Sequence, residues 1–274
     1  LRANTTTAPI IRWAGSKRKL LPRLVPFWNP GYNRYIEPFA GSAALFFALQ
    51  PQQAILGDIN AELIEALQII RDEPESVYER LRRYPLGERS YYRLRARSPR
   101  NLKPLQRAAR FVFLNRFCFN GLYRTNEAGQ FNVPFAKRTT ATLPSRGQFL
   151  RAAATLRSAD LRCEDFETIL KATVRSGDFV YLDPPYAVAN RRIFRQYGPD
   201  SFGLEDLKRV QAVLDEIDAR GADFVLSYAY CREASEAFNR WTSVRVYVQR
   251  NISGFATHRR RAAELIVTNI PKSR

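Results

Sequence analysis

Four stretches of the chain carry short apolar runs of the kind that strands buried on both faces require: Tyr35-Ile36, Ala54-Ile55-Leu56-Gly57, Phe179-Val180-Tyr181-Leu182 and Phe224-Val225-Leu226-Ser227-Tyr228. The first leads through Gly41 into an apolar, helix-length stretch ending at Leu49, which makes the opening β-α unit of a nucleotide-binding sheet. The rhythm then changes. Tyr78 to Arg83, Ser90 to Ala96 and Leu105 to Phe117 predict three helices, and after them Phe131-Asn132-Val133-Pro134-Phe135 predicts one arm of a hairpin turning at Glu127-Ala128-Gly129-Gln130. The pattern is that of an α/β protein whose sheet domain, residues 1–75 and 151–274, is interrupted by a mainly helical insert over residues 76–150.

Charge sharpens that division. The chain has 274 residues, is 45% hydrophobic and carries a net charge of +18. Residues 76–150 hold sixteen Lys/Arg against three Asp/Glu, whereas residues 151–244 hold thirteen against fifteen. So one-sided a segment fits a polyanion, and nucleic acid before a membrane surface, because no amphipathic basic helix stands out. Some of the arginines, among them Arg80, Arg83, Arg93, Arg97, Arg107 and Arg110, recur at helical intervals and also suit a solvated helix face. No apolar run approaches the roughly 20 residues of a membrane span, and the start has no signal-peptide core, so a cytoplasmic, monomeric protein is expected. Cys118, Cys163 and Cys231 are too widely spaced for a zinc module, and no motif calls for a metal.

Candidate chemistry concentrates where strands end. Asp183-Pro184-Pro185-Tyr186 follows the third apolar run, at the sheet edge where open α/β proteins hold ligands. Two prolines stop the ladder and stiffen the turn. A carboxylate (Asp183), a carbonyl (Pro184) and a ring (Tyr186) held together suit a planar base with an exocyclic amine: two acceptors take the two N–H bonds and the ring stacks on the base. Taken alone, the same four residues also suit a surface turn. Near the start, Gly15-Ser16-Lys17 predicts a helix start with free N–H groups beside a cation, a site for a small carboxylate or phosphate. Asp58 ends the second run, where an acidic residue holds a ribose hydroxyl pair or caps the next helix.

The order of Arg12-Trp13-Ala14-Gly15-Ser16-Lys17, Glu37-Pro38-Phe39-Ala40-Gly41-Ser42, Asp58-Ile59-Asn60 and Asp183-Pro184-Pro185-Tyr186 resembles the DNA adenine methylase family of alpha-class adenine-N6 methyltransferases. The resemblance runs over nearly the whole chain. It implies a Rossmann-like methyltransferase sheet, ending in an antiparallel pair of Val244–Val248 and Glu264–Asn269, with the insert as target-recognition region. It further implies double-stranded DNA as substrate and S-adenosylmethionine as donor, with Asp183, Pro184 and Tyr186 catalytic. The cofactor's amino-acid end would lie near Trp13, Ala14, Gly15 and Lys17, its middle against Phe39, Ala40 and Gly41, its ribose on Asp58 and its adenine beside Ile59, with Asp165 at the adenine amine and Phe166 packed nearby. Asp165 also fits a plain strand end.

The hairpin resembles the family's target-recognition hairpin, which implies Phe119 as a wedge for the gap left by an extruded base. Asn120 and Arg124 would then contact bases or backbone, with Arg116 and Lys137 adding DNA contacts. A core-packed hairpin with Phe119 inside is the alternative. Arg259, Arg260 and Arg261 would track phosphate. The chain departs from the family pattern at Ser16 and Ala43, where glycine is common, at Arg195, where threonine is common, and at Tyr228, where asparagine is frequent. Cytosine N4, an RNA base, or a silent DNA-binding relative are the competing functions.

Overall fold

The computed structural model describes residues 7–137, 142–186, 202–249 and 261–271. In chain order the elements are α1 (Leu21–Leu24), β1 (Tyr35–Glu37), α2 (Ala44–Leu49), β2 (Ala54–Gly57), α3 (Ala61–Asp72), α4 (Pro74–Arg82), α5 (Glu88–Arg95), α6 (Pro104–Phe117), α7 (Arg146–Leu156), β3 (Ala159–Arg162), α8 (Phe166–Thr173), β4 (Phe179–Leu182), α9 (Leu204–Ala219), β5 (Asp223–Ala229), α10 (Arg232–Ala237), β6 (Thr242–Gln249) and β7 (Arg261–Thr268). The strands form one sheet in the order β3-β2-β1-β4-β5-β7-β6. The first five are parallel, and β7 and β6 close the edge antiparallel. Strand order reverses between β1 and β4, so the crevice beyond their carboxyl ends is the switch point of this Rossmann-like sheet.

Every residue of β1, β2 and β4 is buried, as unbroken apolar runs demand of strands covered on both faces. Alternation along the pleat divides the core. Tyr35, Tyr181, Val225 and Ile266 face one apolar layer with α3, α6 and α7, and Ile36, Val180, Leu182 and Leu226 face another with α8 and α9. The insert has no core of its own. Val77 and Leu81 of α4, Tyr91 of α5, and Phe131 and Val133 of the hairpin belong to the same apolar layer as β1. Within it α6 is the spine: Ala108 to Asn115 are buried in succession, so this helix is enclosed all round.

The predicted helices form close to their expected limits. α4 begins earlier because Pro74 occupies its first turn, where a missing N–H costs nothing. α7 was not anticipated, although Ser145 and Gln148 form a reciprocal capping box at its start. No helix among the described residues is long and apolar enough to cross a membrane. The Phe194-to-Tyr197 segment, Arg259 and Arg260 lie outside the described residues.

Candidate active site

The chain leaves the sheet at Leu182, which puts Asp183 at the carboxyl edge and the Pro184 carbonyl beyond the β4 ladder. Lys17 Nζ lies 2.6 Å from Asp183 Oδ1 and 3.2 Å from the Gly15 carbonyl, and stands 5.1 Å from the centre of the Tyr186 ring. Lys17 is itself buried. Burial alone would lower its pKa, but Asp183, Tyr186 and Glu264 surround it and the net displacement is upward, so the ammonium is kept. Burial raises the Asp183 carboxyl, and Lys17 and Ser227 work against that rise. The Tyr186 ring packs edge-on against Tyr228, with centroids 5.3 Å apart, and burial pushes its hydroxyl up to about 12.

At Gly15-Ser16-Lys17, where a site for a small anion is expected, no long helix follows. The turn opens a three-residue 3-10 segment and then the four-residue α1, too short to aim a helix N-terminus at a ligand. Lys17 is committed to Asp183, and Ser16 Oγ meets Ser42 Oγ at 2.9 Å.

Beyond β1 the backbone turns sharply at Gly41, with φ +47°, and a Cβ there would stand 2.8 Å from Trp13 Cδ1. The Trp13 ring is thus pressed on bare backbone. Asp58 closes β2 with one oxygen accepting from Gly41 N at 3.0 Å and the other from Asn60 N at 2.9 Å, while burial raises its pKa. Ala40 donates its N–H to the Gly57 carbonyl at 2.7 Å, tying the two strand ends together. Phe39 stacks on Phe166 with centroids 4.9 Å apart, and Ile59 is 78% exposed on the outer side of Asp58. Trp13, Phe39, Ala40, Gly41, Asp58 and Phe166 therefore converge around the ends of β1, β2 and β3. Asp165 is placed differently. Its Oδ1 caps α8 through Glu167 N at 2.9 Å and holds Arg209 at 2.6 Å, and that guanidinium lies over the Phe166 ring.

Glu37, in the same motif, is buried and accepts from the Tyr35 hydroxyl at 2.9 Å and from the Phe46 N–H; burial raises its pKa well above the usual carboxylate range.

In the hairpin Phe119 is 42% exposed, so it is not a core residue, and Asn120 beside it is exposed with a left-handed φ of 55°. Arg124 is exposed and its Nε donates across the hairpin to Asn132 Oδ1 at 2.7 Å. Arg116 is turned inward: its guanidinium donates to the Thr142 carbonyl, at 3.0 Å through Nε, and to the Ile10 carbonyl, which makes it a brace rather than a free DNA contact. Lys137 is exposed, 3.8 Å from Glu88.

Two residues that sequence reasoning passed over join these parts. Tyr123 stacks on Trp13 with centroids 5.9 Å apart and hydrogen-bonds Glu62 and Asn60, linking the hairpin to the Asp58 turn. Asn115 exchanges two hydrogen bonds with the backbone of Arg12, at 2.8 and 2.5 Å. An asparagine buried within an apolar helix run was the available signal, since such a side chain must find partners.

The Asp183 turn follows β4 directly and sets a carboxylate and the Tyr186 ring around the buried Lys17 ammonium, and its neighbour at β1 has a single glycine where a dinucleotide oxidoreductase needs three. Chemistry and topology together define a Rossmann-like methyltransferase rather than a hydride-transfer enzyme. Comparison with known proteins names the family. The family model of D12 class N6 adenine-specific DNA methyltransferases matches residues 13–252. The chain is 32% identical to type II methyltransferase M1.LlaDCHI of Lactococcus lactis subsp. cremoris over 270 residues, covering 95% of each. It is 31% identical to type II methyltransferase M.MjaIII of Methanocaldococcus jannaschii over 81% of this chain and 84% of the relative, and 28% identical to the DNA adenine methylase of Escherichia coli K12 over 95% of each. The chain belongs to the D12 class N6 adenine-specific DNA methyltransferases.

Proposed function

We propose that this chain transfers a methyl group from S-adenosylmethionine to adenine N6 in duplex DNA, with the target base swung out of the helix onto Tyr186. The placement of Asp183, Pro184 and Tyr186 at the β1/β4 switch point, beside a buried cation, carries this reading. The residues around the strand ends fit a nucleoside-bearing donor. Gly41 has no room for a side chain beneath Trp13, Asp58 is a half-buried acceptor fixed by two backbone N–H groups, and Phe39 and Phe166 form an apolar stack. When bound, the donor supplies an activated methyl group.

The protein's part is to prepare the amine. Asp183 and the Pro184 carbonyl each accept one N–H, which draws the nitrogen lone pair out of conjugation with the ring so that it attacks without prior deprotonation. Lys17 keeps the Asp183 carboxylate charged in a buried setting, so it remains an acceptor and is placed to take the proton that the nitrogen loses once it is methylated. Tyr186 offers a face on which the extruded base stacks. The hairpin's likeness to those of GATC-reading methylases makes GATC the first recognition site to test.

Single-molecule sequencing of DNA from a methylation-free bacterial host carrying the chain or its Asp183→Ala variant tests the reaction. Methyladenine in one short motif is expected with the parent and none with the variant, while calorimetry shows S-adenosylmethionine binding retained within about threefold in the variant, since Asp183 acts on the base. Full methylation by Asp183→Ala, or methylcytosine in place of methyladenine, overturns the reading.

A further inference from the structure

β4 and β5 run parallel with Tyr181 beside Val225 and Leu182 beside Leu226, so Asp183 and Ser227 emerge together at the carboxyl edge. Ser227 is wholly buried, with its Oγ 3.0 Å from Asp183 Oδ1 and 2.9 Å from the Tyr181 hydroxyl. A serine has one hydrogen to give. Since the carboxylate can only accept, Ser227 donates to Asp183 and Tyr181 donates to Ser227, a one-way chain of two hydrogen bonds. Lys17 Nζ reaches the same oxygen of Asp183 at 2.6 Å. Among the described residues both donors to this carboxylate therefore land on Oδ1.

A lysine is a point charge on a flexible stem and holds a carboxylate without fixing its rotation about the Cβ–Cγ bond. A second donor from a different direction, on a rigid strand, does fix it. We propose that Ser227, backed by Tyr181, is a positioning pair for methyl transfer: it pins Asp183 through Oδ1 so that Oδ2 faces the target amine. The inference rests on the transfer reaction proposed above.

The test uses Ser227→Ala, Tyr181→Phe and the double variant of the full chain, each close in shape to the parent, with single-turnover rates on a DNA duplex and rates measured against pH. Ser227→Ala should lower the transfer rate about tenfold to a hundredfold, the range that loss of a hydrogen bond to a charged group implies, with DNA and cofactor binding changed less than about threefold. Tyr181→Phe should lower it less, and the double variant should be no slower than Ser227→Ala, because Tyr181 acts only through the serine.

The acid limb of the pH profile should also move upward in Ser227→Ala. Burial already raises the Asp183 carboxyl, and one of the groups opposing that rise is gone, while Lys17, Glu37, Tyr186 and Glu264, which face the same spot, stay in place. An acid limb that does not move, multiplicative losses in the double variant, or a Ser227→Ala enzyme at the parental rate overturns the pairing. The parent and Asp183→Ala, run alongside, separate the two claims: an inactive parent or an active Asp183→Ala sinks the transfer reaction itself.

Discussion

Ala43 shows how a single departure from a family pattern becomes a physical question. It stands at the entry to α2 with φ 49° and ψ 42°, a left-handed conformation that costs a residue with a Cβ about 1–2 kcal/mol and glycine almost nothing. Its methyl is buried, which returns about 0.8 kcal/mol. Ala43→Gly should therefore leave stability within about 0.5 kcal/mol of the parent in urea unfolding, because relief of backbone strain offsets the lost methyl and the freer unfolded chain. Ala48→Gly, in the helical body of the same element, should cost about 1 kcal/mol. Equal losses at the two sites would show that the left-handed entry carries no cost. The sequence alone flagged position 43, through its resemblance to a glycine, but not the torsion angle that makes it matter.

The hairpin is the element in which sequence and structure diverge most instructively. Its turn lies where Glu127 to Gln130 predicts it, closed by Asn126 N donating to the Gln130 carbonyl at 2.9 Å, and Phe119 is presented outward. Arg116 and Arg124 look alike in sequence, yet one is folded under the loop onto the Thr142 carbonyl and the other stays exposed, because only the packing of α6 decides which arginine has carbonyls within reach. The Lys17 ion pair was no more legible: its partner, Asp183, is far away in sequence, and a contact of that separation leaves no local pattern. Strand ends are local and so were legible; the Ser145–Gln148 capping box is local too, yet it was passed over.

The wedge role that the family resemblance implies for Phe119 makes a specific demand on this element. Phe119→Ala should cost little stability, since 42% of the side chain is already exposed, but should reduce base extrusion, read as about a fivefold or greater loss of the fluorescence rise of 2-aminopurine placed at the target. An unchanged fluorescence rise would return Phe119 to a surface residue.

At the scale of the molecule, the central strands were legible because strands buried on both faces cannot hide their composition, whereas their order in the sheet was not; charge alone sets the basic segment apart from the sheet. What charge could not show is that the two share one apolar layer. Val77, Phe111 and Phe131 pack with Tyr35 and Phe46, while Asn115 and Tyr123 bond across to Arg12 and to the Asp58 turn. The basic segment is thus built onto the sheet rather than tethered to it. That has a measurable consequence. The surplus of thirteen positive charges over residues 76–150 already counts Glu79 and Glu88, and among the described residues acids outside the segment take up only two more, Glu65 pairing with Arg107 and Glu75 with Arg146. If six to ten phosphates are neutralised at once, affinity for any duplex should fall about 10³- to 10⁵-fold between 50 and 200 mM salt, with log affinity linear in log salt. The slope should be nearly the same for a duplex with and without the methylated motif, because phosphate contacts carry the electrostatic term and the hairpin's base contacts carry discrimination. Fluorescence anisotropy across that salt range, with both duplexes, checks it. A slope below about three on the scrambled duplex would mean that the arginines of α4 to α6 serve as a solvated helix face and that DNA is held by the hairpin alone.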